Sequence, residues 1–454
     1  MKQFNQKPKI AILTLHPYNY GGVLSLIKVV HKFCQNYFEP KLFFLGFDSK
    51  ISTSLKKLKF FSQIKNTNYF GFNSVEVGAK WAFWEPGHYK FTKSKWISVL
   101  KDYDYFFVAS GTCIAAHPLT LLDKKFAVWL ATTFDEDRAQ RVSKLNFTRK
   151  IIDKFSCKKM RIIEKEILNK SNFIFALSNY TKKTVENVLQ QKSEKIVTCN
   201  YPMMNPFDKT LRQASVCAPP QRGASPDRPG ERKGVIAVGR FDDPRKNLDM
   251  LIKVFDKLNA KIPNLKLNII GPSSDKLRMN KYCVNKTRNF NNLKNINFTG
   301  LISDQELKNY YNSASLMLIT SYQEGLGIVG LEALSNGVPV VATNCGGTSD
   351  FVVNGKNGFL VDVNDVDGMV NKALQILESK KLQKNMSEFA VKFVERNFSE
   401  LKIYSIFKYG LSKVYPELTQ WFEKCDGGIF KAAEKVTIES QDKDDFFEKQ
   451  RNAL

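Results

Sequence analysis

Residues 316–343 read LMLITSYQEGLGIVGLEALSNGVPVVAT, and this stretch decides the fold that the sequence predicts. It begins with a short apolar strand that ends at Thr320, passes through a loop with two glycines, and enters a helix near Ile328. A second apolar run, Pro339–Thr343, follows the helix. Short apolar strands that alternate with helices indicate a parallel sheet covered by helices on both faces.

The same alternation extends along most of the chain. In the first half, strands are predicted at Ile10–Leu15, Lys41–Gly46, Tyr105–Ser110, Phe126–Thr132, Phe173–Ser178 and Ile196–Tyr201. In the second half, they are predicted at Val235–Gly239, Leu265–Gly271, Ile296–Gly300, Leu316–Thr320, Pro339–Thr343 and Gly358–Val361. Because helical patterns separate nearly all of them, we predict an α/β protein with two Rossmann-like, doubly wound sheets.

A segment of different composition separates the two halves. Gln213–Lys233 is rich in Pro, Gly, Ser and Arg and poor in apolar residues, which is typical of a linker or a surface insertion. We therefore predict an N-terminal domain over 1–212 and a C-terminal domain over 234–400. Residues 401–454 are predicted to form helices and a tail that can pack back on the N-terminal domain.

The chain of 454 residues is strongly basic, with a formal net charge of +25. Residues 1–200 hold 33 Lys and Arg against 15 Asp and Glu, so most of the excess lies in the first half. Such a field attracts polyanions such as nucleic acid, anionic lipid or phosphorylated substrates. Nucleic acid is the least favoured of these, because no recognised binding module accompanies the charge. The sequence has no apolar run of membrane-spanning length and no C-x-x-C pair among its 8 cysteines, so a cytoplasmic protein is expected.

Two cations lie at a predicted strand end in the second half. Arg240 follows Gly239 directly after a strand, and Lys246 comes six residues later at the start of a helix pattern. Ligands of α/β sheets bind at such strand ends, and two cations there can clamp a diphosphate. The alternative is that both are surface charges, with Lys246 paired to Asp242 or Asp243.

Two acids follow the strand that ends at Thr320. Glu324 stands in the loop before the next helix, and Glu332 stands about one turn into that helix. The glycines of the loop allow a close approach of a ligand to the backbone, and a helix N-terminus favours phosphate. Carboxylates are good acceptors for paired sugar hydroxyls. The alternative is that Glu332 only complements the helix dipole.

The order and spacing of these residues resemble the retaining glycosyltransferases of family four. The resemblance combines Gly-Arg with a lysine six residues on, the E-x7-E pair, and Asn344–Thr348 (NCGGT) after a later strand. It is closest over 234–362 and weaker in the first half, where Gly21 and Gly22 match a glycine pair of the family. It implies the GT-B fold, in which two Rossmann-like domains face each other across a cleft.

The resemblance also implies roles for individual residues. Arg240 and Lys246 are expected to hold the donor diphosphate, Glu324 to contact the transferred sugar, and Glu332 to hold the ribose hydroxyls. The donor is expected to be a nucleotide-diphosphate sugar, without a metal cofactor. The full set of expected donor-binding residues is Gly21, Gly22, Gly271, Leu301, Gly325, Leu326, Gly327, Ile328, Val329 and Glu332.

The sequence departs from the family at two points. Asp350 stands where the family often has Glu after its second glycine pair. Thr132 and Thr133 fill the place where many members carry a histidine near the reaction centre. His117 is therefore a candidate catalytic residue, and a structural role for it is an equal alternative.

Two further patterns in the first half have a functional and a structural interpretation. Leu55–Phe61 (LKKLKFF) and the nearby Trp81, Trp84 and Trp96 could lie on an anionic bilayer, or belong to a solvated face beside core aromatics. Asp135 and Asp137 form a D-x-D pair after a strand. D-x-D recurs elsewhere in unrelated contexts, so it does not predict a metal site here.

We therefore predict a retaining glycosyltransferase that moves a hexose to a glycan or lipid-linked acceptor, with the donor on the second half and the acceptor on the first. Two alternatives remain open at this point. One is a nucleotide-sugar epimerase or hydrolase of the same fold, and the other is a non-catalytic polyanion-binding protein. The anionic membrane face is a candidate partner surface.

Overall fold

The computed structural model describes residues 6–15, 22–46, 62–80, 84–139, 147–203, 234–271 and 293–427, without the side chains of 147–149, 151–152 and 293. Two compact units divide the chain: Met1–Tyr201 with Glu400–Leu454, and Pro202–Ser399. The predicted linker, Gln213–Lys233, lies outside the described residues. No helix among the described residues has the length and apolar character that crossing a bilayer requires.

The described part of the first unit is built on an eight-stranded sheet. Its strands are β1 (Lys9–Thr14), β2 (Glu39–Gly46), β3 (Ile64–Tyr69), β4 (Phe72–Gly78), β5 (Tyr105–Ser110), β6 (Ala127–Leu130), β7 (Phe173–Ala176) and β8 (Ile196–Thr198). They lie in the order β3-β4-β2-β1-β5-β6-β7-β8. The helices between them are α1 (Gly22–Tyr37), α2 (Lys93–Leu100), α3 (His117–Leu121), α4 (Phe134–Arg138), α5 (Phe147–Lys170) and α6 (Asn179–Leu189).

The sequence analysis missed the β3–β4 hairpin. The two strands are antiparallel, and Phe70 and Gly71 between them both have positive φ, 52° and 82°. Such a tight turn is usually recognised in a sequence by Asn-Gly or Asp-Gly, but here a phenylalanine occupies the first left-handed position. β3 also has mostly exposed, polar residues, because it is an edge strand. The prediction of an entirely parallel sheet is therefore wrong at this edge.

The described part of the second unit is a six-stranded sheet in which every pair is parallel. Its strands are β9 (Val235–Val238), β10 (Leu267–Ile270), β11 (Ile296–Gly300), β12 (Leu316–Ile319), β13 (Val340–Thr343) and β14 (Gly358–Val361), in the order β11-β10-β9-β12-β13-β14. The helices are α7 (Leu248–Lys261), α8 (Asp304–Ser313), α9 (Ile328–Ser335), α10 (Val366–Glu378) and α11 (Lys380–Asn397). The winding direction reverses between β9 and β12, so the loops after these strands meet at a switch point.

After the second unit, the chain returns to the first as α12 (Glu400–Val414) and α13 (Leu418–Cys425). Phe407 of α12 is fully buried, and its ring centroid lies 5.2 Å from Phe107, 5.0 Å from Trp129 and 5.3 Å from Phe175. Those three rings belong to β5, β6 and β7, so α12 covers one face of the first sheet. All twelve predicted strands are present, several of them ending earlier than predicted.

Candidate active site

Glycines after β9 and β10 let two loops come together at the switch point. A Cβ on Gly271 would overlap the carbonyl oxygen of Gly239. Any residue larger than glycine at position 271 would therefore push the two loops apart. A Cβ on Gly239 would lie 3.3 Å from Lys246 Cε. The stem of Lys246 therefore passes directly over the glycine backbone, which accounts for Gly239 standing just before Arg240.

Two capping residues fix the backbone on either side of Lys246. The side chain of Asp243 accepts a hydrogen bond from the Arg245 N–H at 3.0 Å and caps the short 3-10 turn Pro244–Lys246. Asn247 has a left-handed backbone, φ 48°, and its side chain accepts from the Met250 N–H at 3.3 Å to cap α7. The lysine is thus held at the junction of the turn and the helix.

The loop after β12 is bonded through its backbone to the loop after β13. The Glu324 N–H donates to the Cys345 carbonyl at 2.9 Å, and the Gly347 N–H donates to the Glu324 carbonyl at 2.8 Å. Gly347 has no room for a side chain, because a Cβ there would overlap Gly325 and Leu326. The NCGGT stretch therefore sets the position of Glu324.

Lys246 and Glu324 form the central ion pair of this site. Lys246 Nζ lies 2.6 Å from Glu324 Oε1, and the hydroxyl of Ser321 donates to the same oxygen at 2.6 Å. The two side chains are only 20% and 12% exposed. The alternative that Lys246 pairs with Asp242 or Asp243 is wrong, since its partner is Glu324.

Asp243 is occupied by a different residue, Arg245, which the sequence analysis did not single out. Arg245 Nη2 lies 2.7 Å from Asp243 Oδ2, whereas Arg240 Nη2 reaches that oxygen only at 3.5 Å. The Arg240 side chain is 34% exposed. Arg240 is therefore the more available cation, and Arg245 serves to hold the turn. The sequence Asp-Pro-Arg is typical of a capped turn, and it was the signal that could have identified Arg245 as part of one.

Glu332 contacts Tyr311 of α8. The Tyr311 hydroxyl donates to Glu332 Oε2 at 2.8 Å, on the partly buried side of α9. Desolvation raises the pKa of the Glu332 carboxyl to about 7, although the tyrosine hydrogen bond acts to lower it. A carboxyl with a pKa near 7 is partly protonated and partly ionised at neutral pH, so a small change in its surroundings can shift the balance. Its assignment to the ribose hydroxyls stays a prediction.

The remaining predicted donor-binding residues of the second unit lie in loops or at the start of α9. Gly327 precedes the helix with φ 88°, and the helix begins at Ile328, so Ile328 and Val329 present first-turn N–H groups. The Leu326 side chain is buried, which leaves Gly325 and Leu326 only their backbones to offer a ligand. Leu301, after β11, is 66% exposed.

The predicted residues of the first unit have different positions. Gly21 lies outside the described residues, and Gly22 is the first residue of α1 with open space around its Cα. His117 is 6% exposed, with its ring centroid 5.8 Å from that of Tyr89. Burial lowers the pKa of His117 to about 4, so the imidazole is neutral at pH 7. Its catalytic role stays a prediction, and this geometry favours the structural alternative.

Glu164, which the sequence analysis missed, supports the stretch that includes Thr132 and Thr133. Its Oε1 accepts a hydrogen bond from the Phe134 N–H at 2.7 Å, and the residue is 2% exposed. Burial raises the pKa of Glu164 to about 7. The only signal in the sequence was an acid among the apolar positions of a long basic helix.

Other first-half patterns are partly accounted for. Asp135 pairs with Arg161 at 2.8 Å, so this member of the D-x-D pair has a structural partner. Trp96 is fully buried and donates to Thr92 Oγ1 at 3.1 Å, which makes it a core aromatic. Leu55–Phe61 and Trp81 lie outside the described residues. Within the described ranges, no group of three or more His, Cys, Asp or Glu has the arrangement of a metal site.

Comparison with known proteins places the second unit in a family. The sequence family of glycosyl transferases group 1 matches residues 223–393. An uncharacterized glycosyltransferase of Methanocaldococcus jannaschii is 27% identical over 230 residues, 50% of this chain and 60% of that protein. The GDP-mannose-dependent alpha-(1-6)-phosphatidylinositol monomannoside mannosyltransferase of Mycolicibacterium smegmatis is 33% identical over 158 residues, 33% of this chain and 39% of that protein. The chain thus spans 60% and 39% of the lengths of these two curated relatives, less than two thirds of each.

Solved structures match across most of the chain. The sucrose-phosphate synthase of Thermosynechococcus elongatus superimposes with a TM-score of 0.65 at 16% identity and covers 91% of this chain and 99% of its own. At that identity the likeness shows the fold, and the fold is GT-B. The structure thus has two doubly wound units with the E-x7-E loop beside Lys246 and the GT-B fold, and its residues 223–393 match the glycosyl transferases group 1 family.

Proposed function

We propose that this protein is a retaining glycosyltransferase that moves a hexose from a nucleotide-diphosphate sugar to a glycan or lipid-linked acceptor. The observation that carries the proposal is the Lys246–Glu324 pair at the switch point of the second sheet, with Arg240 beside it on the same loop. This edge of a parallel sheet is where nucleotides and phosphates bind in α/β proteins. The family matched here and the GDP-mannose-dependent relative support a nucleotide-sugar as donor.

The reaction breaks the bond between the anomeric carbon and the terminal phosphate oxygen of the donor. Negative charge then grows on that oxygen, and Arg240 and Lys246 are the cations that we assign to its stabilisation. These side chains can do the work often given to a divalent metal, so we expect turnover to persist in the presence of EDTA. The acceptor hydroxyl bonds to the anomeric carbon and gives its proton to the departing phosphate on the same face, which retains the configuration.

Glu324 is assigned to the transferred sugar and Glu332 to the ribose. A carboxylate accepts hydrogen bonds from two neighbouring hydroxyls, which suits both sugars. The loop backbone from Gly325 to Val329 offers N–H groups to the diphosphate. Because the positive charge is concentrated in the first 200 residues, we expect a lipid-linked acceptor to be met at an anionic membrane face.

The experiment is a thermal-shift screen of nucleotide-sugars, followed by a transfer assay with the sugar that binds. A true donor at 100 times its Kd stabilises the protein by about 2.7 kcal/mol. Lys246→Ala should lose about 100-fold or more in kcat while the fold persists. Lys253→Ala, an exposed lysine on α7, is the matched control. Normal turnover of Lys246→Ala, or sugar release without any acceptor product, would contradict the proposal.

A further inference from the structure

Helix α5 combines two exposed apolar side chains with a row of exposed lysines. Phe155 is 66% exposed and Ile162 is 60% exposed. Seven residues separate them, so they lie on the same side of the helix about 10 Å apart. The exposed cations along the same stretch of helix are Lys150, Lys154, Lys158, Lys159, Arg161 and Lys165. We refer to these eight side chains as the α5 strip.

Between Lys150 and Lys165, the acidic side chains of α5 are buried and the basic ones are exposed. Its two acids between Lys150 and Lys165 are Asp153 and Glu164, and both face inward, 4% and 2% exposed. Asp153 pairs with Arg138, and Glu164 accepts from the Phe134 N–H. The α5 strip therefore contains no exposed acid, although Arg161 is paired across to Asp135.

Neighbouring groups extend the strip at one side and limit it at its end. Lys159 Nζ lies 5.2 Å from the centroid of the Trp84 ring, so this half-buried tryptophan borders the cations. The turn that carries Trp84 is tied to α5 through Arg138 of α4, which pairs with Glu85 at 3.0 Å and also with Asp153 of α5. Beyond Lys165, the exposed Glu166 pairs with Lys170 at 3.3 Å, which ends the purely cationic stretch.

We propose that the α5 strip docks the first unit on an anionic lipid bilayer. The lysines meet lipid phosphates, and Phe155 and Ile162 enter the boundary between headgroups and acyl chains. Two exposed apolar side chains of this size beside a row of lysines call for an apolar phase, which a bilayer supplies. Nucleic acid fits less well, since five of the six cations are lysines, which lack the planar fork that Arg uses on phosphates and bases. The α5 strip belongs to the first unit, whereas the proposed donor site belongs to the second.

The test is co-sedimentation of the full chain with vesicles of phosphatidylcholine alone and of phosphatidylcholine mixed with phosphatidylglycerol. The protein should bind the mixed vesicles, and binding should fall as salt is raised. Phe155→Ser with Ile162→Ser should lower the partition coefficient by about tenfold or more, because both apolar contacts are lost. Leu401→Ser, at an 84% exposed leucine on α12, is the matched control and should bind like the parent.

The contribution of charge is tested separately. Lys154→Glu with Lys158→Glu should weaken binding by at least about fivefold for each lysine lost. Lys381→Glu with Lys384→Glu, two exposed lysines on α11, should have a far smaller effect. In addition, the emission of Phe155→Trp should shift to the blue with mixed vesicles.

Three results would overturn the proposal. One is equal binding to phosphatidylcholine alone, and another is unchanged binding of the Phe155→Ser, Ile162→Ser protein. The third is tighter binding to duplex DNA than to the mixed vesicles at the same salt, which would assign the α5 strip to nucleic acid. None of these results depends on whether sugar transfer is observed.

Discussion

Lys246 Nζ and Glu324 Oε1 lie 2.6 Å apart, although 78 positions separate the two residues in the chain. The lysine comes from the loop after β9 and the glutamate from the loop after β12, and these strands are neighbours in the sheet. With both side chains mostly buried, neither charge is well solvated, so each depends on the other until a ligand arrives. The pair therefore holds a cation and an acid ready where a diphosphate and a sugar are proposed to bind.

The first prediction concerns this pair. We expect Lys246→Ala to lose more stability than Lys246→Ala combined with Glu324→Gln, because the double variant leaves no unpaired buried carboxylate. Calorimetry measures the melting temperatures of the two variants, and the difference between them reports the extra loss of stability in the single variant. Both variants should lose transfer activity alike. Equal melting temperatures would indicate that the pair is too solvated to matter.

The second prediction concerns Gly347. Gly347→Ala should weaken donor binding, since its Cβ would push Gly325 and Leu326 away and displace Glu324 with them. The measurement is the Kd for the nucleotide-sugar by calorimetric titration. Gly355→Ala is the control: its φ of 72° makes it strained, but a Cβ there meets nothing within 4 Å. An unchanged Kd in Gly347→Ala would show that the loop relaxes without cost.

The third prediction concerns Glu332, whose pKa is raised to about 7 by desolvation. The ionised carboxylate is the better acceptor for ribose hydroxyls, so the KM for the donor should fall as pH rises through about 7. Tyr311→Phe removes a hydrogen bond that lowers this pKa, and the inflection should move to higher pH. The readout is the KM against pH. A KM profile identical in Glu332→Gln would remove Glu332 from the donor site.

The fourth prediction concerns stability and Glu164. Its pKa in the folded protein, about 7, lies above the ordinary 4.5, so the native state holds the proton more tightly than the unfolded state. Stability is therefore lost as pH rises from about 4.5 to about 7. Glu164→Gln keeps an acceptor for the Phe134 N–H without the charge, and should be more stable than the parent by up to about 3 kcal/mol at pH 8.

The Glu164→Gln advantage should vanish near pH 4.5, where the parent carboxyl is protonated. Calorimetric melting at both pH values measures it. Glu166→Gln, exposed on the same helix, should change stability by less than about 0.5 kcal/mol at either pH. An advantage for Glu164→Gln that is the same at both pH values would mean that ionisation is not its cause.

The fifth prediction concerns His117. With its pKa lowered to about 4 by burial, the imidazole is neutral at pH 7 and packs against Tyr89. His117→Gln should therefore keep kcat within about threefold of the parent at pH 7. The transfer assay measures it, with circular dichroism as the check on folding. A loss of 100-fold in a folded variant would restore the catalytic role to His117.

Local patterns determined much of this protein. Apolar runs such as Tyr105–Ser110 and Leu316–Ile319 predicted strands, since burial on both faces requires an unbroken apolar sequence. Glycine, cation and acid at successive strand ends, as at Gly239 and Glu324, predicted a cluster of polar residues there, because strand ends and glycine loops are visible in the sequence itself. That a donor binds at this cluster stays a prediction.

The tertiary structure alone decided which of those residues meet. The partner of Lys246 depends on the strand order that puts β12 beside β9, and the sequence equally allowed Asp242 or Asp243. The pKa of Glu164 and the neutrality of His117 depend on burial by residues distant in the chain. The return of α12 to the first unit likewise rests on contacts between Phe407 and β5, β6 and β7. Periodicity records local geometry, whereas pairing and desolvation arise from long-range packing that no short stretch of sequence contains.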